Sequence, residues 1–320
     1  MVHDTGFVIN KIQIAPGKRE TVRLHVARLP SGTVISIRVH VYRSLKPGPT
    51  VLVLGGVHGD EINGIEIVRR AIKRGYFNDL NIGNVIAIPL LNVYGFINFS
   101  REVAEGKDIN RAFPGSAKGS LAARVAHVLT KEILPLVDFG IDFHTGGGSR
   151  YNYPQIRISA GDSKAEELAR QFAPPFLIRK AMIPKTLRKS ALAMGVPILV
   201  YEGGESLRLD GFSIDNGLAG LLRLMHAQGM IDSSPPILRP TIIVNKTNWV
   251  RAAQAGMFTW TQQSGARVGP KEPMGVIHDP YGENDTRVLA NRVGFLIGHN
   301  NAPVVSEGDA LFHIGSNLEI

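Results

Sequence analysis

Residues 50–73 read TVLVLGGVHGDEINGIEIVRRAIK, and this stretch decides the fold. The run at 50–56 is apolar throughout, which is typical of a strand buried on both faces. After a polar turn, Ile65, Val68 and Ile72 recur at helical spacing. A strand, a turn and a helix in this order predict an α/β unit.

The same alternation continues along the chain as far as residue 232. The segments VIAIPLLN, FGIDFHTG and PILVYEGGE are strand-like, and segments such as LAARVAHVLTKEILPLV and KAEELARQFAPPF are helical. Strands and helices alternating at this spacing predict a mostly parallel sheet that is covered on both faces. The fold class is therefore α/β.

Two changes of pattern divide the chain. Residues 1–49 alternate apolar and polar positions with a period of two, which predicts an antiparallel β ribbon packed on the next domain. After the Pro-rich stretch SSPPILRP at 233–240, only short β-like runs follow. We therefore expect a catalytic domain at 50–234 and a small all-β domain at 235–320.

The composition excludes several classes of protein and partner. With 44% hydrophobic and 20% charged residues, the chain is globular. It has no Cys, so a metal site must use His and carboxylate ligands. The net charge of +9 is scattered and accompanies no nucleic-acid-binding motif, so nucleic acid is not an expected partner.

The N-terminus does not resemble a secretory signal, and no apolar run reaches the ~20 residues of a membrane span, so we expect a cytoplasmic protein without a membrane partner. The oligomeric state stays open, a homo-oligomer included.

Three residues predict a metal site. His58 and Glu61 lie three positions apart directly after the strand-like run at 50–56, and His144 ends the strand-like run FGIDFH. Open α/β sheets place their ligand sites at such strand ends. Two histidines and one carboxylate leave one coordination position open, which is the arrangement of a catalytic zinc site. We expect one Zn²⁺ per chain.

Other polar residues could serve the chemistry around this ion. Glu202 ends a third strand and is expected to be a general base rather than a ligand. Asp142, two residues before His144, could orient that ligand or bond backbone, and Asp108 could be a further partner. Arg101, Asn110 and Arg111 lie in one polar loop and could together grip a carboxylate.

At this point the motifs GGVHGDE, NVYGF, KDINRAFPG, DFHTG and VYEGG, in this order, resemble the succinylglutamate desuccinylase/aspartoacylase family. This family is a branch of the zinc carboxypeptidase-like clan, and the resemblance covers roughly residues 50–230. The C-terminal part is similar to the appended biotinyl/lipoyl-like sandwich of these proteins. It has no Met-Lys-Met attachment motif, so neither lipoylation nor biotinylation is expected.

The resemblance implies a zinc-dependent amidohydrolase that cleaves the amide bond of a small N-acyl amino acid. It implies zinc ligation by His58, Glu61 and His144, and a zinc-bound water activated by Glu202 as general base. By the same carry-over, Asn110 and Arg111 would bind the substrate carboxylate. Arg101 would help to polarise the scissile carbonyl.

Two other functions remain open at this stage. A metallocarboxypeptidase acting on short peptides would use the same zinc, Arg and Asn set, and a wide cleft would favour it. A non-catalytic binding protein could keep the same fold. The remaining histidines, among them His299 and His313, are expected to be structural, and Trp249 and Trp260 are expected in the core of the small β domain.

Overall fold

The computed structural model describes residues 7–319. The strands are β1 (Val8–Ile9), β2 (Ile12–Gln13), β3 (Arg19–Arg28), β4 (Val34–Arg43), β5 (Thr50–Gly55), β6 (Asn84–Ile88), β7 (Phe139–Gly146), β8 (Arg150–Ser159), β9 (Phe176–Lys180), β10 (Ile198–Glu205), β11 (Ile242–Arg251), β12 (Gly256–Trp260), β13 (Arg267–Val268), β14 (Pro273–His278), β15 (Asp285–Leu289), β16 (Gly294–Asn300), β17 (Val304–Val305) and β18 (Ala310–Glu319). The α-helices are α1 (Ile62–Lys73), α2 (Val93–Ile97), α3 (Leu121–Val128), α4 (Ser163–Phe172), α5 (Leu187–Ala193) and α6 (Gly211–Ala227).

A mixed sheet forms the centre of the molecule, with the order β13-β16-β18-β11-β9-β8-β10-β7-β5-β6-β4-β3. The four strands β6, β5, β7 and β10 run parallel to one another, as expected from the sequence. Outside this centre the sheet is mixed: β4 joins β6 and β8 joins β10 antiparallel, whereas β9 runs parallel to both β8 and β11. The expectation of a mostly parallel sheet is therefore correct for the centre and wrong for the sheet as a whole.

The central strands bury both faces, as the continuous apolar run at 50–56 predicts. Every residue of β5 is buried. Val51 and Val53 belong to a core that includes residues of α1, α4 and α6, whereas Leu52 and Leu54 belong to a second core that includes residues of α3 and α5. Alternate side chains of one strand thus fill two cores, one on each side of the sheet.

Antiparallel pairing extends the sheet at the N-terminal side. The strand β3 pairs with β4, and Val22, Leu24, Ile37 and Val39 are buried in the same core as α3. The polar positions between them remain at least partly exposed. This alternation explains the period of two in the sequence.

From residue 242 to 319 the ordered elements are strands. β11 pairs parallel with β9, and β16 pairs antiparallel with β8, so these strands are hydrogen-bonded to the central sheet. The strands β15-β14-β12-β17 form a separate sheet, and Phe258 of β12 packs against Phe312 of β18 in a core of its own. The division of the chain at 234/235 stays a prediction. No helix among residues 7–319 is long and apolar enough to cross a membrane.

The sequence did not reveal β8 and β9. Asn152, Pro154, Gln155 and Arg157 interrupt the apolar pattern of β8, because some of these side chains serve the site described below. The helix expected at 121–137 is also shorter: α3 ends at Val128, and a π-helical turn and a 3₁₀ turn follow it.

Helix α1 approaches the sheet closely at Gly64, which is a testable feature. A Cβ added there would lie 2.3 Å from the carbonyl oxygen of Phe143, the residue before His144. We expect Gly64→Ala to lower the free energy of unfolding by about 1–3 kcal/mol, since overpacking forces backbone shifts. Denaturant titration measures this change. Gly211→Ala is the control: a Cβ at Gly211 meets no atom within 4 Å, so the variant should be as stable as the wild type or more stable. Equal stability of Gly64→Ala and the wild type would contradict the prediction.

Candidate metal centre and active site

The predicted site residues come together at the carboxyl ends of the parallel strands. His58 follows β5, Glu61 is the residue before α1, and His144 lies near the end of β7. Glu202 on β10 pairs directly with His144 in the parallel ladder. Strand ends of a parallel sheet meet at one edge, which is why residues far apart in sequence share this site.

A compact group of possible metal ligands, the donor group, consists of His58, Glu61 and His144. The Nδ1 atom of His58 lies 2.8 Å from Oε1 of Glu61, and Nδ1 of His144 lies 2.8 Å from Oε2 of the same carboxylate. The two Nδ1 atoms are 3.1 Å apart. All three side chains are buried, and one ligand atom of each lies within 4.8 Å of the others. Glu61 does not cap α1 with its side chain, so its carboxylate is available to the histidines.

Each histidine has a carboxylate on its far side. Nε2 of His58 lies 3.1 Å from Oδ1 of Asp108, and Nε2 of His144 lies 2.8 Å from Oδ2 of Asp142. A carboxylate there accepts the Nε2 proton and leaves the Nδ1 lone pair facing the donor group. Two such lone pairs 3.1 Å apart repel each other, whereas one cation shared by both would satisfy them. The donor set therefore fits a metal ion.

The electrostatics of the group are dominated by burial and by opposite charges. Burial lowers the pKa of His144, but Asp142 and Glu61 raise it well above the ordinary value. Burial likewise lowers the pKa of His58, and Glu61 and Asp108 raise it overall. Burial raises the pKa of Glu61, but His58 and His144 bring it well below its usual range. The Glu61 carboxylate is thus strongly stabilised in its charged form, as a metal ligand must be.

Arg101 contacts the carboxylates around the donor group. Its Nη1 donates to Glu61 at 2.9 Å, and its Nη2 donates to Oδ2 of Asp108 at 3.0 Å. Asp108 also accepts a hydrogen bond from the backbone N–H of Asn110 at 2.7 Å. The loop that carries Arg101, Asn110 and Arg111 is therefore tied to the donor group through Asp108.

The NVYGF motif explains how this loop is held. The side chain of Asn92 accepts a hydrogen bond from the Gly95 N–H, and its Nδ2 donates to the carbonyl oxygen of Arg101 at 3.2 Å. A Cβ at Gly59 would lie 2.0 Å from the carbonyl carbon of Gly95. Small residues at both positions let the two backbone segments touch, which places the loop beside His58.

Glu202 has two partners on β8, neither of which the sequence revealed. Asn152 Nδ2 donates to Oε2 of Glu202 at 2.9 Å, and Arg157 Nη1 donates to Oε1 at 2.8 Å. Both carboxylate oxygens are therefore oriented. These partners were missed because β8 was missed. The available signal was the presence of Asn152, Gln155 and Arg157 between the aromatic and apolar residues of YNYPQIR.

One cleft of about 660 Å³ contains the donor group, Glu202 and the three loop residues Arg101, Asn110 and Arg111. Its remaining wall carries the cations Arg150, Arg157, Lys180 and Arg188. Trp249 and His313 also line it, with stacked rings whose centroids are 4.3 Å apart. The expectation that Trp249 lies in the core of the β domain is therefore wrong, because this ring closes the cleft instead.

The class of protein is therefore an α/β protein with a candidate metal centre. Its central sheet is mixed, and a buried His-Glu-His group lies at the ends of the parallel strands. Residues 47–228, more than half of the chain, match the succinylglutamate desuccinylase/aspartoacylase catalytic domain. The chain belongs to this family, which confirms the resemblance seen in the motifs.

Individual relatives agree with this assignment. The chain is 26% identical over 289 residues to the N-alpha-acetyl-L-2,4-diaminobutyric acid deacetylase of Halomonas elongata, covering 85% of this chain and 83% of that protein. It superposes with a TM-score of 0.84 and 26% identity on a succinylglutamate desuccinylase/aspartoacylase from Rhodobacter sphaeroides, covering 96% of this chain and 98% of that one. The product-bound ectoine utilization protein EutE of Ruegeria pomeroyi, 21% identical, shares the fold with a TM-score of 0.82 over 94% of this chain and 95% of its own.

The donor geometry predicts a graded loss of metal affinity. We expect His144→Gln to abolish tight binding of a divalent metal, since it removes one ligand. Asp142→Asn should weaken binding by about 10–100-fold, because it removes only the carboxylate that orients His144. Equilibrium dialysis with elemental analysis measures both effects. The exposed His226→Gln is the control and should bind like the wild type. Unchanged affinity in His144→Gln would remove His144 from the site.

Proposed function

We propose that this protein is a zinc-dependent amidohydrolase that releases the acyl group from a small N-acyl amino acid. The observation that carries the proposal is the buried donor group of His58, Glu61 and His144 in one cleft with Glu202. Membership of the succinylglutamate desuccinylase/aspartoacylase family supports it. The name of the Halomonas elongata relative, a deacetylase of an acetylated amino acid, also supports it.

Zinc is the metal that the donor set favours. Two imidazole nitrogens and one carboxylate are suitable zinc ligands, and three protein ligands leave a position for water or substrate. When bound there, zinc would supply Lewis acidity to a water molecule and to the scissile carbonyl. His58, Glu61 and His144 would hold it, with Asp108 and Asp142 orienting the two histidines.

Glu202 would act as the general base. Its carboxylate accepts the proton of the attacking water and returns it to the leaving amine, so that the amide is hydrolysed to a carboxylate and an amine. Asn152 and Arg157 hold both oxygens of Glu202 in place. Arg101 contacts Glu61 through Nη1 and Asp108 through Nε and Nη2, and each Nη retains a second N–H that can face the carbonyl oxygen.

Asn110 and Arg111 would bind the carboxylate of the amino acid. Both line the cleft. The side chain of Asn110 is fixed because its Oδ1 accepts a hydrogen bond from the backbone N–H of Leu187 at 2.9 Å. The side chain of Arg111 donates to the carbonyl oxygen of Asn110 at 2.7 Å, which keeps the two groups together. A guanidinium beside an amide is a suitable carboxylate-binding pair.

The cleft favours a small substrate over a peptide. Trp249 on β11 and His313 on β18 form part of its wall, so strands after residue 240 narrow the site. A metallocarboxypeptidase needs room for a chain on the acyl side. We further propose that residues 235–320 form the biotinyl/lipoyl-like β sandwich of the family, which is supported by the separate hydrophobic core around Phe258 and Phe312.

The charge of the wall favours an anionic substrate. Arg157, Lys180 and Arg188 line the cleft together with Glu202. Arg157 pairs with Glu202 at 2.8 Å, whereas Lys180 and Arg188 have no carboxylate within 4 Å among residues 7–319. Burial and then Arg157 lower the pKa of Arg188 and of Lys180. Partly buried cations of this kind are destabilised until an anion approaches. We therefore propose that the substrate carries a second carboxylate besides the one bound by Arg111.

The role of Glu202 gives a direct test. We expect Glu202→Gln to retain zinc but to lower kcat by about 10²–10⁴-fold on N-acyl amino acids. The reason is that the amide side chain of glutamine cannot accept the proton of the attacking water. Amine release measures the rate, and elemental analysis measures the metal. The exposed Glu307→Gln is the control and should match the wild type. A Glu202→Gln enzyme with near wild-type turnover would exclude Glu202 as the base.

The charge of the cleft gives a second test. We expect Arg188→Met to lower kcat/KM about tenfold or more for N-acyl amino acids with a second carboxylate, since a charge-assisted contact contributes about 1.5–3 kcal/mol. Neutral N-acyl amino acids should change little. A panel of acetyl and succinyl derivatives of acidic, neutral and basic amino acids measures this selectivity, with the exposed Arg74→Met as control. An equal loss for neutral and dicarboxylate substrates would contradict the second-carboxylate proposal.

A further inference from the structure

A second cavity lies on the other side of β8 and β10 from the active-site cleft. Its volume is about 600 Å³. Tyr151 and Tyr153 of β8 line it, whereas Asn152 between them bonds Glu202. Glu205 of β10, three residues after Glu202, also lines it. The two cavities thus share β8 and β10, and neither the reaction nor the metal centre uses the second one.

Aromatic rings form much of the wall of this second cavity. His299 stacks on Tyr151 with a centroid distance of 5.1 Å, and Trp260 lies 4.7 Å from His299. On the side of β8 and α6, Tyr153 and Phe212 pack at 5.3 Å, and the Phe212 side chain is about half exposed. Aromatic rings on several sides of one cavity can attract an organic cation through their electron-rich faces.

The histidine in this wall does not oppose a cation. Burial lowers the pKa of His299 to about 4, although a bond to Asn301 acts in the opposite direction, so the ring is uncharged at neutral pH. Its Nδ1 lies 2.7 Å from the hydroxyl of the buried Ser264. A neutral imidazole can accept a hydrogen bond from this hydroxyl at Nδ1, which fixes the ring in the wall.

The fixed charges of the wall are predominantly negative. Glu205 and Asp210 both line the cavity, and the one cation in its lining is Arg208. Arg208 pairs with Glu205 at 2.9 Å and has a side chain that is 75% exposed. Asp210 caps α6 through the N–H of Ser213, and no Lys or Arg within 4 Å pairs with it among residues 7–319. Asp210 therefore has a backbone partner but no cationic side chain beside the aromatic rings.

We propose that this cavity binds a small organic cation, such as an alkylammonium group, between the aromatic rings and Asp210. The active-site cleft cannot take such a ligand well, because Arg111, Arg157, Lys180 and Arg188 give it the opposite charge. The two cavities thus select oppositely charged molecules while sharing the strands β8 and β10. This proposal is independent of the proposed function, since it uses none of the residues of the metal centre.

Choline and its uncharged isostere 3,3-dimethylbutan-1-ol test the proposal on the metal-loaded full chain. Isothermal titration calorimetry should show saturable binding of choline and much weaker binding of the isostere. Sodium chloride at the same ionic strength should give no saturable heat. Equal binding of the two organic probes would overturn the proposal, because the cavity would then select shape and not charge. A lack of saturable choline binding at millimolar concentration would overturn it as well.

Two substitutions locate the site. Phe212→Leu should weaken choline binding about two- to fivefold, since a cation–π contact at a partly exposed site contributes about 0.5–1 kcal/mol. Asp210→Asn should weaken it about threefold or more, because it removes the charge and keeps a good N-cap residue. The matched controls are Tyr281→Leu and Asp79→Asn, at an exposed aromatic and an exposed carboxylate outside the cavity. Affinity that is unchanged in Phe212→Leu and Asp210→Asn would place choline elsewhere and refute the assignment.

Discussion

The structure depends on one constraint: three polar side chains that are almost inaccessible to water meet at the end of an apolar sheet. His58, Glu61 and His144 are buried at the ends of β5 and β7, whose side chains are mostly hydrophobic. Buried ionisable groups are stable only when each finds partners. Glu61 contacts both histidines and Arg101, and the far nitrogen of each histidine contacts an aspartate. A shared metal ion would complete this arrangement.

The surrounding structure serves the same constraint. The loop after α2 is positioned by Asn92 and by the contact of Gly95 with Gly59, so that Asp108 and Arg101 reach the donor group. Gly64 lets α1 lie against β7 directly behind His144. These glycines are required by the close approach of two backbone segments and not by flexibility. A Cβ at any one of them would meet a neighbouring backbone segment beside the donor group.

The strands β8 and β10 separate two cavities of opposite character. On one side, Asn152 and Arg157 orient Glu202 in a cleft rich in cations. On the other side, Tyr151 and Tyr153 face a cavity with aromatic rings and two carboxylates. Residues from the strands after 240 close both cavities, Trp249 and His313 on the first and Trp260 and His299 on the second. The C-terminal region therefore contributes to both sites as well as to the sheet.

The sequence by itself determined the central α/β units and the residues of the donor group. Local patterns were sufficient there, because a buried parallel strand is continuously apolar and its ligands follow it within a few residues, as His58 and Glu61 follow β5. The family was recognisable for the same reason. The antiparallel pairing of β8 with β10, the strand β8 with Asn152 and Arg157, and the place of Trp249 were decided only by the tertiary structure. These features arise from pairings between strands that are distant in sequence. A polar or aromatic side chain on such a strand looks the same in the sequence whether it faces a core, the solvent or a cleft.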